Sequence, residues 1–273
     1  MIKIVFFSSD QYGAKALEVL KRCPASPRGS ARGDLEIVKI VKEKNELESL
    51  KNSLPQPALT RRGRPDIGIV ASFGALIPSD IINWPKKGLL NLHPSLLPKY
   101  RGPTPVPSAL LNGEKETGLT IIKVDEEIDH GPIVSQFKEE IKANETSESL
   151  LNRLFTLGGQ VLTTILPSYL EDKIELRQQN HSQATFTQKL TRESGKMDWS
   201  KPADYQERFI RAMFPWPGAW TEVKINNQAK RLKILKAHLQ KKKLVLDVVQ
   251  LEGKKPVTWK QFLEGYPQAK IVS

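Results

Sequence analysis

The chain has 273 residues, of which 39% are hydrophobic and 26% are charged, a composition typical of soluble globular proteins. This length suits two domains and is sufficient to bury a core without disulfide staples. The single cysteine, Cys23, excludes an internal disulfide and a cysteine-rich zinc site. It favours a reducing compartment, here a bacterial-type cytoplasm or an organelle matrix.

The hydrophobic runs of the sequence do not predict membrane targeting. The opening residues, MIKIVFFSSD, contain an apolar run that is too short for a signal peptide, and they lack a small-residue cleavage site. No run reaches the length of a membrane-spanning helix, and we expect no mitochondrial leader.

Positive charge is concentrated in the last third of the chain. The formal net charge is +12, and residues 181–273 carry 18 Lys and Arg against 8 Asp and Glu, which leaves +10 there and +2 in residues 1–180. A basic module beside a nearly neutral one indicates that the C-terminal part binds a polyanion. The alternative is a lysine-rich surface that only keeps the protein soluble.

The first part of the chain alternates short apolar runs with amphipathic segments. The predicted elements are strands at 2–8, 35–41, 66–72 and 88–92, with helices at 11–22, 45–52 and 78–83 between them. This alternation predicts an α/β, Rossmann-like domain with a mostly parallel sheet. The runs GLTIIKVD and PIVSQFKEE alternate apolar and polar residues, which favours antiparallel or edge strands.

A long helix is predicted at 147–166, ending before Pro167, although Gly158 and Gly159 weaken it. A helix at 205–213 and the short strands AWTEVKI, RLKILKAHL and KLVLDVVQL follow, joined by Asn-Asn and lysine turns. Such strands predict a small C-terminal β-barrel, OB-like in type. We therefore predict a catalytic domain at 1–180, a linker at 181–202 and a basic barrel domain at 203–273.

The segment GLLNLHPSLLPKYRGPTP, at 88–105, carries the first candidate site residues. Alternation along the strand places Asn91 and His93 on the same face, at the C-terminal end of a parallel strand, where open α/β sheets bind ligands. Asparagine can donate to a developing oxyanion, and histidine can donate a hydrogen bond or move a proton. The alternative is that Asn91 caps a loop and His93 is an ordinary turn residue.

The segment KVDEEIDHGPIV, at 123–134, carries the second group of candidate site residues. Asp129 precedes His130 and Gly131 in a tight turn, and a glycine allows such a loop to approach a ligand closely. Three further acids, Asp125, Glu126 and Glu127, lie beside it, and the residues alone leave open which of the four acts.

Two other kinds of site are not predicted. No Gly-x-Gly-x-x-Gly follows the first strand, so a dinucleotide site is poorly supported. The four histidines show no metal-ligand spacing, and we expect no metal.

Taken together, the motifs resemble the folate-dependent formyltransferase family. NLHPSLLPKYRG at 91–102 is followed at 129–133 by DHGPI, and VASFGALIP at 70–78 resembles the family's folate-pocket segment. TFTQKLTRESGKMDWS at 185–200 and IRAMFPWPGAW at 210–220 resemble the members that formylate methionyl-tRNA. The chain departs from the family at SSDQYG, where Gly-Thr-Pro is common, and in the short basic segment 23–64. The C-terminal domain is also expected to be abbreviated.

The resemblance implies a reaction and roles for named residues. The formyl donor would be 10-formyltetrahydrofolate, the acceptor initiator methionyl-tRNA, and the protein a monomer that works without a metal. Asn91, His93 and Asp129 would be the catalytic residues. The donor pocket would involve Phe73, Gly74, Ala75, Leu76, Ile77, Leu89, Ser95, Leu96, Leu97 and Pro98. The tRNA would meet the C-terminal domain at Lys230, Arg231, Lys233, Lys241, Lys242 and Lys243.

Two other acceptors fit the same motifs. Sugar-nucleotide N-formyltransferases also have an RG-containing loop and a PWPG segment, but a nucleotide sugar does not require a domain of charge +10. Glycinamide ribonucleotide formyltransferases share HPSLLP, but they are usually single domains. A non-catalytic RNA-binding protein is a third alternative, and the intact Asn91, His93 and Asp129 argue against it.

Overall fold

A computed structural model describes residues 1–22, 35–53 and 63–272. These residues form two compact units, and neither is one continuous segment of the chain. The first unit comprises Met1–Pro103, Glu116–Glu140 and Leu151–Thr187, and the second comprises Thr104–Lys115, Ile141–Leu150 and Gln188–Ser273. The sequence predicts two consecutive domains, at 1–180 and 203–273. Each compact unit instead combines three separate segments of the chain.

The first unit contains a six-stranded sheet of order β2-β1-β3-β4-β5-β6. The strands β1 to β4 are parallel, while β5 and β6 pair antiparallel, which confirms the predicted mostly parallel sheet. The strands are β1 (Ile2–Phe7), β2 (Leu35–Val41), β3 (Ile67–Ala71), β4 (Leu89–His93), β5 (Glu116–Lys123) and β6 (Ile133–Glu140). The helices of this part of the chain are α1 (Gln11–Arg22), α2 (Lys44–Ser53), α3 (Ser79–Ile82), α4 (Pro105–Leu111) and α5 (Ser147–Leu170).

Continuous apolar runs explain the central strands. Every side chain of β3 is buried, and the same holds for the last four residues of β1, as expected for strands covered on both faces. The core on one side of the sheet includes Phe7, Val70 and Ile81. Burial of these runs positions the C-terminal ends of β1, β3 and β4 along one edge of the sheet.

The helix α5 is unbroken at its two glycines and longer than predicted. A Cβ at Gly158 would lie 2.9 Å from side-chain atoms of Leu92 and Leu119, and one at Gly159 would lie 2.9 Å from Val19. The glycines therefore permit close packing instead of interrupting the helix. The helix continues through Pro167 to Leu170, although a proline lacks the N–H that would bond to the carbonyl of Thr163.

The second unit contains a five-stranded antiparallel sheet of order β10-β9-β8-β7-β11. The sequence predicted a small barrel, and the observed sheet has β10 and β11 as its end strands. Its elements are α6 (Ala203–Met213), β7 (Ala219–Ile225), β8 (Gln228–Gln240), β9 (Lys243–Leu251), β10 (Val257–Thr258), α7 (Trp259–Gly265) and β11 (Lys270–Val272). Within this unit, α6 packs on α4, and Ser147 Oγ donates to the carbonyl of Ala212 at 2.6 Å.

Most of the short basic segment at 23–64 falls outside the described residues. Cys23, Arg28 and Arg32 lie in the undescribed range 23–34, and Arg61 and Arg62 lie in the range 54–62. Among the helices that are described, none is both long enough and apolar enough to cross a membrane.

Candidate active site

Asn91 and His93 lie on one face of β4, as the period of two predicts. Their neighbours Leu90 and Leu92 are fully buried on the other face, which fixes the strand in the sheet. β4 lies between β3 and β5 and runs parallel to β3. Its C-terminal end is therefore at the edge of the sheet where the parallel strands end. His93 is almost fully buried, while Asn91 keeps partial exposure.

The connection between β5 and β6 brings Asp129 to the same place. Asp129 has φ = 50°, in the left-handed region that aspartate tolerates better than most residues. A Cβ at Gly131 would lie 1.8 Å from the carbonyl oxygen of Lys123, so this position requires glycine. The shape of the turn therefore depends on the sequence Asp-His-Gly.

The three predicted catalytic side chains meet around the Asp129 carboxylate. Asn91 Nδ2 donates to Asp129 Oδ1 at 3.1 Å, and His93 Nδ1 lies 3.4 Å from Asp129 Oδ2. The backbone N–H of Gly102 donates to the same Oδ2 at 2.8 Å. Among the four neighbouring acids, Asp129 is the one in contact with Asn91 and His93, because Asp125 pairs instead with His130 at 2.7 Å.

The second ring nitrogen of His93 faces the loop at residues 100–102. His93 Nε2 lies 2.9 Å from the carbonyl oxygen of Tyr100. Because a carbonyl oxygen only accepts hydrogen bonds, this nitrogen carries a proton. The other ring nitrogen, Nδ1, faces the Asp129 carboxylate.

The predicted donor-pocket segment follows β3. Ser72 has φ = 52° and its hydroxyl donates to Asp10, while the N–H of Gly74 donates to Ser9 Oγ at 3.3 Å. Phe73 packs edge-on against Phe7 with ring centroids 5.8 Å apart. The departure SSDQYG therefore provides Ser9 and Asp10 as anchors for this segment.

Other predicted pocket residues differ in their exposure. Leu76 has 76% of its surface exposed, and Ile77 packs partly against the core. Ser95 and Leu97 turn inward, where Ser95 Oγ donates to the carbonyl of Lys99 at 2.7 Å. Ala75, Leu96 and Pro98 keep partial exposure, whereas Leu89 is fully buried. Leu89 could shape a pocket only through residues that pack over it.

The predicted tRNA-binding residues all lie on β8, β9 and their connecting turn. Lys233, Lys241, Lys242 and Lys243 are exposed. Lys230 is partly exposed. Arg231 is also partly exposed, stacks 3.8 Å over the Trp220 ring and lies 3.3 Å from Glu193. The charges of the four exposed lysines are therefore more accessible to a ligand than the charge of Arg231.

The β7–β8 and β8–β9 turns of this sheet have a similar backbone conformation but different residues. Asn226 and Asn227 have φ of 50° and 61°, and Lys241 and Lys242 have φ of 48° and 63°. Asparagine is favoured in such turns, whereas lysine has no local reason to adopt a positive φ. Lys241 and Lys242 therefore adopt an unfavourable backbone conformation at an exposed turn.

Two buried polar residues at the site were missed by sequence reasoning. Arg101 and Gln179 are 4% and 5% exposed, and Arg101 Nη2 donates to Gln179 Oε1 at 2.7 Å. Arg101 lies inside the motif KYRG. Gln179 lies at the end of the catalytic domain predicted at 1–180, where the sequence is irregular and has no hydrophobic periodicity. The described residues contain no group of three or more His, Cys, Asp or Glu placed to hold a metal.

Comparison with known proteins agrees with this geometry. Residues 9–166 match the model of the formyl transferase family, and residues 189–244 match that of the formyl transferase C-terminal domain. The chain belongs to the formyl transferase family. Asn91, His93 and Asp129 all lie within the first matched segment.

Relatives in this family are methionyl-tRNA formyltransferases from bacteria. The enzyme from Chloroflexus aggregans is 38% identical over 81% of this chain and 76% of its own length. That from Roseiflexus sp. strain RS-1 is 46% identical over 58% of this chain and 49% of its own.

Solved structures of formyltransferases share the fold. The methionyl-tRNA formyltransferase from Clostridium thermocellum has a TM-score of 0.65 at 19% identity, over 92% of this chain and 99% of its own. The N-formyltransferase from Helicobacter canadensis, in complex with folinic acid and dTDP-3-aminofucose, has a TM-score of 0.63 at 20% identity, over 94% of this chain and 99% of its own.

Proposed function

We propose that this formyltransferase moves the formyl group of 10-formyltetrahydrofolate onto the α-amino group of initiator methionyl-tRNA. The observation that carries the proposal is the meeting of Asn91, His93 and Asp129 at the end of β4. The choice of acceptor is supported by the bacterial relatives, which are named methionyl-tRNA formyltransferases. We propose a monomer acting in a bacterial-type cytoplasm, with an organelle matrix as the alternative compartment.

The chemistry needs an oxyanion site and a proton acceptor close together. Attack of the neutral amine on the formyl carbon gives a tetrahedral intermediate with a negative oxygen and a positive nitrogen. The Asn91 amide has two N–H groups, and one of them contacts Asp129, which leaves the other to donate to the oxyanion. His93 would add a second donor by redirecting its Nε2–H from the Tyr100 carbonyl to the same oxygen.

Asp129 has two roles in this scheme. Its carboxylate orients His93, and it accepts the amine proton, directly or through a water molecule. The N10 nitrogen of tetrahydrofolate then leaves after protonation. These steps form no covalent bond to the enzyme and require no metal.

The acceptor is a polyanion, which agrees with the charge of the C-terminal part of the chain. Residues 181–273 carry a net charge of +10. Lysines and arginines that contact phosphates release counterions and supply affinity without reading sequence. We assign this role to Lys230, Arg231, Lys233 and the lysines of the β8–β9 turn.

We propose that the donor binds along residues 73–77 and 95–98, and Leu76 offers a test. Its exposed side chain would lose water on contact with the donor, so Leu76→Ser is expected to weaken binding of folinic acid about tenfold. Titration of the full chain by calorimetry gives this affinity. Stability should change little, because the side chain is exposed.

Leu263→Ser is the matched control, since Leu263 is an exposed leucine on α7. It should leave folinic acid binding unchanged. Equal affinities for wild type and Leu76→Ser would remove Leu76 from the donor pocket.

The acceptor is tested by three reactions run side by side. Purified protein is supplied with 10-formyltetrahydrofolate and with charged initiator tRNA, an amino-sugar nucleotide or glycinamide ribonucleotide. Transfer to the methionyl-tRNA is expected to be the fastest by far. Faster transfer to either small acceptor would contradict the proposed substrate.

A further inference from the structure

The loop that carries Asp129 and the loop at residues 100–102, which contacts its carboxylate, each contain a residue in an unfavourable backbone conformation. Asp129 has φ = 50° and Tyr100 has φ = 61°, a region that side-chain-bearing residues rarely adopt. Tyr100 supplies the carbonyl that accepts from His93, and Gly102 supplies the N–H that donates to Asp129. Neighbouring groups must therefore hold both loops in place.

Gln179 holds the loop of Asp129 from behind. Its Nε2 donates to the carbonyl oxygen of Asp129 at 2.9 Å and to that of Gly131 at 2.8 Å. The buried Gln179 carboxamide therefore donates to the carbonyls of the residues immediately before and after His130. These bonds fix the backbone from which the Asp129 carboxylate projects.

Arg101 connects Gln179 to the other loop. Its Nη2 and Nε donate to Gln179 Oε1 at 2.7 Å and 3.3 Å, and Nη2 also lies 2.8 Å from His181 Nδ1. Arg101 stands between Tyr100 and Gly102 in the chain. A single set of contacts therefore joins the backbone behind Asp129 to the loop that contacts its carboxylate.

The segment that carries Gln179 also fixes Arg101 through its backbone. The N–H of Arg101 donates to the carbonyl of Thr185 at 2.8 Å, and its carbonyl accepts from the N–H of Thr187 at 2.8 Å. The guanidinium also lies 5.9 Å from the Phe186 ring centroid. Hydrogen bonds to Gln179 and His181 reduce the high cost of burying this charge.

We propose that Arg101 and Gln179 are positioning residues that set the Asp129 carboxylate against Asn91 and His93. They act through Asp129 and touch neither substrate. This inference deepens the proposed function, because its kinetic readout is formyl transfer.

The first test is a double-mutant cycle between Gln179→Met and Asp129→Asn in the full chain. Alone, Gln179→Met is expected to lower kcat by about tenfold to a hundredfold, since small displacements of a reacting group carry such costs, with little change in KM for the donor. In the Asp129→Asn background the same change should lower kcat by less than about threefold. Full multiplication of the two effects would overturn the proposal, as would a folded Gln179→Met variant with wild-type kcat.

Gln206→Met is the matched control. Gln206 is also buried, at 7% exposure, and its Nε2 donates to the carbonyls of Trp199 and Lys201 at 3.1 and 2.9 Å. Its loss should lower stability like that of Gln179 while kcat stays within about twofold of wild type. If Gln179→Met does not fold, Arg101→Lys enters the same cycle, because lysine keeps the charge and loses the forked donors.

A second measurement does not depend on activity. The ring 15N signals of His93, assigned by their loss in His93→Asn, are expected to shift in Gln179→Met and to stay unchanged in Gln206→Met. Unshifted His93 signals in Gln179→Met would overturn the proposal. Absence of formyl transfer by the wild type would overturn the proposed function instead, and the His93 signals would then decide this inference alone.

Discussion

Replacement of Asn91, His93 or Asp129 by alanine is expected to lower turnover by at least about a hundredfold each, the usual effect of removing an oxyanion donor or a proton-transfer group. Each of the three side chains contacts the Asp129 carboxylate or is that carboxylate. Single-turnover formyl transfer to methionyl-tRNA measures the chemical step directly. Because the three groups act together, combining two of the substitutions should cost little more than the more severe one.

A His–Asp pair far from the site in sequence provides a control. His238 Nδ1 lies 2.9 Å from Asp247 Oδ1 in the C-terminal sheet, with both side chains more exposed than those of the site. Asp247→Asn should leave the single-turnover rate at saturating tRNA unchanged, whereas Asp129→Asn should lower it strongly. Near-normal turnover in any of the three alanine variants would remove that residue from the mechanism.

Replacement of Lys241, Lys242 and Lys243 by alanine is expected to weaken tRNA binding and to flatten its dependence on salt. Each lost phosphate contact should reduce the slope of log affinity against log salt concentration by about 0.9. Formyl transfer at saturating tRNA should change much less. Binding of charged initiator tRNA across a salt series measures both quantities.

The backbone of the β8–β9 turn makes this prediction sharper. Because Lys241 and Lys242 have positive φ, the variant Lys241→Asn with Lys242→Gly should raise the free energy of unfolding by about 1 kcal/mol. The same variant should bind tRNA less tightly. Stability and binding then change in opposite directions, which separates a lost contact from a damaged fold.

Exposed lysines elsewhere provide a control of equal charge. Lys44, Lys51 and Lys138 lie in the first compact unit, and each is within 3.9 Å of an acid. Their replacement by alanine removes three positive charges far from the turn in sequence. If this control flattens the salt slope as much as the turn variant does, the effect is one of net charge and the turn is not a contact.

The sequence predicts the first four strands closely, and it predicts that Asn91 and His93 share one face of the fourth. Continuous apolar runs can only be buried strands or helices, and their short length with Gly and Pro between them selects strands. The alternation within β4 then places Asn91 and His93 together. The residues alone do not select Asp129 from the four neighbouring acids, and the choice comes from the family resemblance. The structure adds the reason for the turn, since a Cβ at Gly131 would lie 1.8 Å from the Lys123 carbonyl oxygen.

The support behind Asp129 could not be predicted in this way. Gln179 is 50 residues from Asp129 and 78 from Arg101, and it lies in an irregular segment without periodicity. A polar residue in such a segment is usually exposed, and only the folded chain shows that this one is buried. The inward turn of Ser95 and the full burial of Leu89 are hidden for the same reason.

The second compact unit includes Thr104–Lys115 and Ile141–Leu150, which precede most of it in the chain. During synthesis these segments leave the ribosome well before α6, whose Arg208 and Arg211 donate to the carbonyls of Leu111 and Glu145. Until α6 emerges, buried side chains of α4, such as Val106 and Leu110, lack the helix that packs on α4. Nascent chains stalled short of α6 should therefore be good chaperone substrates, and release of the complete chain should end that dependence.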